Sequence, residues 1–388
     1  MALQHSHAFQ APAFLNFYGS SSRKCLRAIS SIRATTVSNN GDLSSFKDWC
    51  IEKGIITPLD LDLKNDDYRF MKYSKDNERP ETIDGPILRV PLKACIVAES
   101  PEALAIRLAE EKRVGDESEF AAYINVLPKI TSDSLQSMPR FWSQDKLEKV
   151  SEFDGGYIYQ KAMASKQKCK EMNIDEWALA CVNSRANFLL DKGYAMTPVL
   201  DMLNHDFSSK TRGSILEDEL FLSVDKKFEK GDEVFISYGS FSNLETLCEY
   251  GFVDSNQNPY NKEFVDVRMI RKEPVRVTID NNGALDSGSL ALLRSYLTPE
   301  SVVMEKLLMD DTLTQTAVFA KPISDEIEEE VFSFIASFVD GAIYEAKEGI
   351  NWAVDNNDDI LKRYLAARVE VLMKGIEFMK NKFPDLIY

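Results

Sequence analysis

Near residue 258 the 388-residue chain changes its pattern. Upstream, apolar residues come in short runs closed by Gly, Pro or charged turns. Downstream they recur at helical spacing almost to the last residue. The run 87–91 (ILRVP) follows Gly85-Pro86 and ends on Pro91, which predicts a strand. Residues 198–203, 219–224 and 233–238 predict three more, the last entered by a turn at Lys230-Gly231-Asp232. Between them lie predicted helices. Ser44 or Ser45 can cap one over 44–53 that Gly54 ends, and Ser100-Pro101 opens another through 113, since Pro at the first helical position loses no hydrogen bond. Further helices are expected over 143–152, 157–172, 174–190 and 243–250, the last stopped by Gly251. Residues 60–84 are polar without clear period and predict mostly loop. Beyond 258, the stretch 263–279 could still be β, while 287–297, 300–309, 324–348 and 355–382 read as amphipathic helices. A strand-bearing part followed by a helical part predicts two domains, with the boundary within 252–262.

Charge and composition exclude several function classes. With 62 acidic against 46 basic side chains the net charge is −16, which repels a polyanion, and no basic patch offsets it. No direct nucleic-acid partner is expected. No apolar run approaches the ~18–20 residues of a membrane-spanning helix, and the most apolar late stretch, 331–344, is broken by Asp340. A membrane partner is not expected either. Residues 1–40 contain no Asp or Glu, but carry Arg23, Lys24, Arg27 and Arg33 among many Ser and Thr, the composition of an organelle transit peptide. The six cysteines form no C-x-x-C pair, so neither a disulfide framework nor a zinc module is expected, and no metal site. His5 and His7 fall in the leader. His205 is then the one imidazole left for a Ser-His or Cys-His nucleophile. No G-x-x-x-x-G-K or G-x-G-x-x-G motif occurs.

Three segments place polar groups inside apolar runs. They are Asn183-Ser184-Arg185, Leu200-Asp201-Met202-Leu203-Asn204-His205-Asp206, and Phe235-Ile236-Ser237-Tyr238-Gly239. The last continues through Ser242-Asn243 to Glu249-Tyr250-Gly251-Phe252. Taken singly, each has an ordinary reading: an arginine snorkelling from an apolar face, a core histidine in a turn, a structural tyrosine at a strand end.

In order and spacing together, the three resemble the SET-domain protein methyltransferases, in particular the plant group typified by the Rubisco large-subunit lysine methyltransferase. The resemblance runs from Trp49 to near Lys382, with 123–128 (YINVLP) and Phe141-Trp142-Ser143 similar to a helical insertion of that group. It implies an α+β fold. A SET domain of short strands with a pseudoknot would span 41–258, with the helical insertion at about 101–190, and an all-α C-terminal domain resembling a substrate-binding domain would span 259–388. Residues 1–40 would be the transit segment.

The same resemblance implies S-adenosyl-L-methionine as cofactor. Arg185 would pair with its carboxylate. Asn204 and His205 would contact its adenine and amino-acid ends, largely through backbone, and Tyr250 and Phe252 would flank the adenine. Tyr238 would be the catalytic residue, and no metal is needed. The expected activity is N-methylation of lysine on a protein of the chloroplast stroma, by a monomer, with the Rubisco large subunit or aldolase as substrates by analogy. Distant relatives of the group methylate histidine instead. The chain departs from the group where a G-x-G cluster precedes the first SET strand: 68–77 holds no glycine, nor does any position between Gly54 and Gly85. The alternative that goes with this departure is a catalytically degenerate SET-fold protein, serving as an interaction or assembly subunit in a plastid complex.

Overall fold

The computed structural model describes residues 40–64, 68–74, 86–224, 226–254, 258–310, 314–384 and 386. The expected transit segment up to residue 39, and residues 75–84 of the expected loop, lie outside them. Where the polar composition predicts loop, the described part is a hairpin. β1 (Leu59–Lys64) and β2 (Tyr68–Tyr73) pair antiparallel with Leu61 opposite Met71. The alternation in LDLDLK is the signal that high charge obscures: it carries one apolar face, on which Leu59, Met71 and Tyr73 are buried. On the other side Asp62 pairs with Lys72.

Contacts divide the chain into two units. The described residues up to 135 together with those of 166–239 form the first, and those of 136–165 with 240–388 form the second. In the first, β3 (Pro86–Pro91) is the strand that 87–91 predicts, and β4 (Ile96–Ala98) follows it. β5 (Asn187–Phe188) and β6 (Tyr194–Met196) complete a sheet of order β4-β6-β5. β7 (Asn204–His205) comes next, then β8 (Arg212–Leu216) and β9 (Glu219–Ser223), which form a sheet of order β3-β9-β8. β9 alternates as a half-buried strand should, with Leu220 and Leu222 inside. β10 (Phe235–Ile236) is all that is strand of the expected 233–238.

Three local expectations are corrected. The first helix runs Asn40–Lys53, so Ser44 and Ser45 are interior positions rather than caps. The helix expected over 174–190 stops at Arg185, because Asn187 and Phe188 pair with β6. Tertiary pairing overrides the helical period there, and Phe188 stays 40% exposed. Residues 198–203 are not a strand. Val199 has φ 73, a left-handed backbone, and Leu200–Met202 form one turn of 3-10 helix. By contrast, the helix Pro101–Val114 begins as expected, with the Ser100 hydroxyl accepting the Ala103 N–H.

The second unit contains the helices Gln144–Asp154, capped by Ser143, and Asn243–Tyr250, where Ser242 and Glu245 make a reciprocal capping box and Gly251 (φ 75) ends the last turn. Residues 263–279 are β. β11 (Lys262–Val267) and β12 (Val275–Asp280) form a hairpin, so the C-terminal part is helical with one hairpin rather than all-α. Val265, Val277 and Ile279 of the hairpin share a core with Val331, Ile335 and Leu372 of the long helices Asp325–Asp355 and Asp359–Lys382. No helix among the described residues is long and apolar enough to cross a membrane.

Candidate active site

β7 and β10 are two residues each, and they pair in parallel: Asn204 lies opposite Phe235, and His205 opposite Ile236. Parallel neighbours cannot be joined by a tight turn, and here the connection is the whole β8–β9 hairpin and the loop after it. The ladder is prolonged by Asp206 N–H donating to the Ile236 carbonyl (3.0 Å) and by the Ser209 hydroxyl donating to the Phe235 carbonyl (2.8 Å). On the other side, the same segment meets β2, where Val234 N–H donates to the Met71 carbonyl (2.9 Å) and Lys72 bridges Glu233. Residues 231–236 therefore run between β2 and β7.

Side chains lock this crossing. One amide group does much of it: Asn204 Nδ2 donates to the Arg69 carbonyl of β2 and to Glu233 Oε1, both at 2.8 Å. The Tyr68 hydroxyl donates to the same Glu233 oxygen (2.8 Å), and burial with that carboxylate pushes its phenol up. The His205 Nδ1 accepts the backbone N–H of Tyr238 at 3.0 Å. Its ring meets Phe207 edge-on at 4.1 Å and tilts against Tyr238 at 5.0 Å. Burial pushes this imidazole down to about 4, so it is neutral at neutral pH.

Tyr238 is held at both ends. Its N–H goes to His205, and its hydroxyl donates to the Leu203 carbonyl at 2.9 Å. Burial pushes its phenol up to about 12, with Arg185 opposing and Asp201 and Glu233 reinforcing. The hydroxyl therefore keeps its proton at neutral pH. Arg185 ends its helix pointing into the same cluster, and its Nη1 donates to the Asp201 carbonyl at 2.6 Å. Asp201 is buried, with its Oδ2 accepting from the Tyr123 hydroxyl. Burial pushes its carboxyl up to about 6, and Arg185 opposes that rise. Arg185 Nε and Asp201 Oδ1 are buried here and have no hydrogen-bond partner among the described residues. The thiols of Cys50, Cys95 and Cys181 are pushed up to about 12 by burial, so none is a thiolate nucleophile.

Arg185, Asn204, His205 and Tyr238, remote along the chain, thus converge. Tyr250 and Phe252 lie in the second unit, their rings 6.1 Å apart, with Tyr250 5.7 Å from Phe241. Sequence patterns missed Tyr123, Glu233 and Tyr68. Their partners are far along the chain or, for Asn204, twenty-nine residues away, and no local period marks such contacts.

A fold in which a two-residue parallel ladder is crossed by a third strand, with an Asn-His segment and a tyrosine-bearing segment clasped together, is that of the SET domain. The solved SET domain of LSMT bound to lysine and AdoHcy matches it with a TM-score of 0.67 at 18% identity, over 90% of this chain and 93% of that one. In sequence, the chain is 31% identical over 182 residues to SET domain-containing protein 4 of Artemia parthenogenetica, covering 41% of this chain and 45% of that protein. It is 23% identical over 271 residues to the ribulose-1,5 bisphosphate carboxylase/oxygenase large subunit N-methyltransferase, chloroplastic, of Pisum sativum, covering 56% and 52%. No protein-family model matches. SET-domain methyltransferases are thus among its homologues, and the chain spans about half the length of the curated relatives it matches.

Proposed function

We propose that the protein is an S-adenosylmethionine-dependent protein-lysine N-methyltransferase acting on a plastid protein. The observation that carries this is the pair of buried, unpartnered atoms at the crossing, the Arg185 Nε donor and the Asp201 Oδ1 acceptor. A buried donor and acceptor left open together are costly unless a ligand satisfies them. The amino-acid end of the cofactor, with one carboxylate and one ammonium, has the complementary groups.

Arg185 takes the carboxylate as a charge-assisted contact. Asn204 and His205 contribute backbone groups, their side chains being engaged in holding the crossing. Tyr250 and Phe252 are assigned to the adenine on the resemblance alone. When bound, the cofactor supplies a methyl group on a sulfonium for in-line transfer to an unprotonated amine. The Tyr238 hydroxyl donates to Leu203, and a phenol oxygen can accept as well as donate; its proposed role is to take an amine N–H and so aim the amine lone pair. Orientation of this kind contributes up to ~7–11 kcal/mol. The plastid assignment is supported by the composition of residues 1–40 and by the chloroplastic pea relative. Rubisco and aldolase remain substrates by analogy, and the expected state is a monomer.

A second reading, a non-catalytic SET-fold subunit, is favoured by one observation. The segment that lacks the glycine pair is here β2, and its Arg69 carbonyl is taken by Asn204. Calorimetry with S-adenosylmethionine separates the two. Binding supports the enzyme, and no heat at millimolar cofactor overturns it in favour of the subunit. Labelling of histidine instead of lysine in a methylated substrate would overturn the lysine assignment alone.

A further inference from the structure

Asp201 ties together three pieces of the first unit. Its carbonyl accepts from Arg185, its Oδ2 accepts from Tyr123, and its Oδ1 has no partner among the described residues. Tyr123 lies on the short helix Ala121–Asn125 and has no exposed surface. Its ring is stacked on Trp49 (6.1 Å, 14°) and tilted against Phe46 at 6.3 Å, both on the helix Asn40–Lys53. A phenylalanine would fill that aromatic cluster equally well. A buried hydroxyl costs stability unless it has a partner, so the hydroxyl at this place answers to the Asp201 carboxylate rather than to packing.

We propose that Tyr123 is a positioning residue for this site: its hydroxyl holds the Asp201 carboxylate, and Asp201 in turn anchors the Arg185 guanidinium through its carbonyl and its charge, so that the Arg185 Nε–H is presented to a ligand carboxylate. This rests on the reading of Arg185 as the group that receives the cofactor. A free arginine side chain samples many rotamers, and anchoring one nitrogen on a carbonyl beside an anion takes much of that entropy loss out of the binding step.

The charges set the pH dependence this implies. Burial pushes the Asp201 carboxyl up to about 6, so it is ionised above that pH and neutral below. The groups that face it are Arg185, Tyr123, Tyr238, Cys50, Cys95 and Cys181. Tyr123 is pushed well above the ordinary phenol range by burial, and Tyr238 and the thiols lie at about 12, so none of these neutral groups changes charge near neutrality. His205, in the same crossing, protonates only at about 4. The part of the hold on Arg185 that comes from the carboxylate charge should therefore weaken as pH falls through the Asp201 midpoint, while the carbonyl contact stays.

The test uses the full chain as wild type, Tyr123→Phe and Asp201→Asn. Carboxyl-carbon NMR follows the Asp201 midpoint, with Asp201→Asn giving the assignment, and calorimetry follows S-adenosylhomocysteine binding against pH. Expected are wild-type affinity that falls below about pH 6, a higher Asp201 midpoint in Tyr123→Phe with about tenfold weaker binding at neutral pH, and weak, pH-independent binding in Asp201→Asn. A role in packing alone would lower the melting temperature of Tyr123→Phe and leave the midpoint and affinity unmoved, which overturns the proposal. Absence of wild-type binding would overturn the function proposed above; the midpoint in the two unbound proteins would still decide whether Tyr123 holds Asp201.

Discussion

The backbone N–H of Tyr238 donates to Nδ1 of His205 at 3.0 Å, and the Tyr238 hydroxyl returns to the Leu203 carbonyl at 2.9 Å. One residue is thereby stapled at both ends to a segment some thirty-five positions earlier in the chain. The staple explains why a lone histidine sits here. Its acceptor nitrogen is committed to the backbone, and burial keeps the ring neutral.

Tyr238→Phe removes one hydroxyl from this staple and leaves the ring. Turnover should fall by about 10²-fold or more if the hydroxyl aims the amine, while the loss of its bond to Leu203 costs only about 1 kcal/mol of stability. Methyl-label incorporation into a lysine substrate, alongside thermal unfolding, measures the two effects. Undiminished turnover would remove Tyr238 from its proposed role.

The His205 imidazole gives a pH dependence of definite sign. Its folded value is depressed by burial from 6.5 to about 4, so the unfolded chain binds the proton first. The stability it contributes is complete above about 6.5 and is lost as pH falls towards 4. Asp201, raised to about 6, acts in the opposite sense, since its burial disfavours the folded state as pH rises from 3.8 through 6. Comparison with His205→Asn, which keeps an acceptor for Tyr238, isolates the histidine. The variant should lose less stability between pH 6.5 and 4 in denaturant titrations.

In the second unit, Arg368 and Glu263 form an ion pair at 2.7 Å with both side chains 1% exposed. Arg368→Met leaves a buried carboxylate unmatched and should destabilise by about 3–5 kcal/mol. Pairing it with Glu263→Leu should restore most of that loss, because the desolvation cost of both charges is then removed. Urea unfolding of the two single variants and the double variant supplies the cycle.

Gly349 lies on the helix Asp325–Asp355 where a Cβ would come within 2.6 Å of Phe153 and 2.7 Å of Leu365. Its backbone is ordinary helix, so close approach, not conformation, requires glycine. Gly349→Ala gains helix propensity yet should destabilise by about 1–3 kcal/mol through overpacking. A rise in melting temperature would show that Phe153 and Leu365 can yield.

Much of the local structure is legible in the chain because it depends on neighbours a few residues apart. Ser100, Ser143 and Ser242 each accept an N–H three positions on, Gly251 supplies the left-handed residue that closes a helix, and the alternation in 219–223 buries Leu220 and Leu222. The motif order around Arg185, Asn204-His205 and Tyr238 carries the resemblance to the SET domain, and that order needs no contact to be read. What only the tertiary structure decided are events that join distant segments. The helix through Arg185 stops short because β6 captures Asn187 and Phe188; 59–64 and 68–73 pair as strands despite their charge; and Tyr123 finds Asp201 across seventy-eight positions. Caps and periods are properties of a few adjacent dihedrals and side chains. Strand capture and a buried hydrogen bond to a carboxylate are instead settled by which surfaces lose water together, and that is known only once the chain has closed on itself.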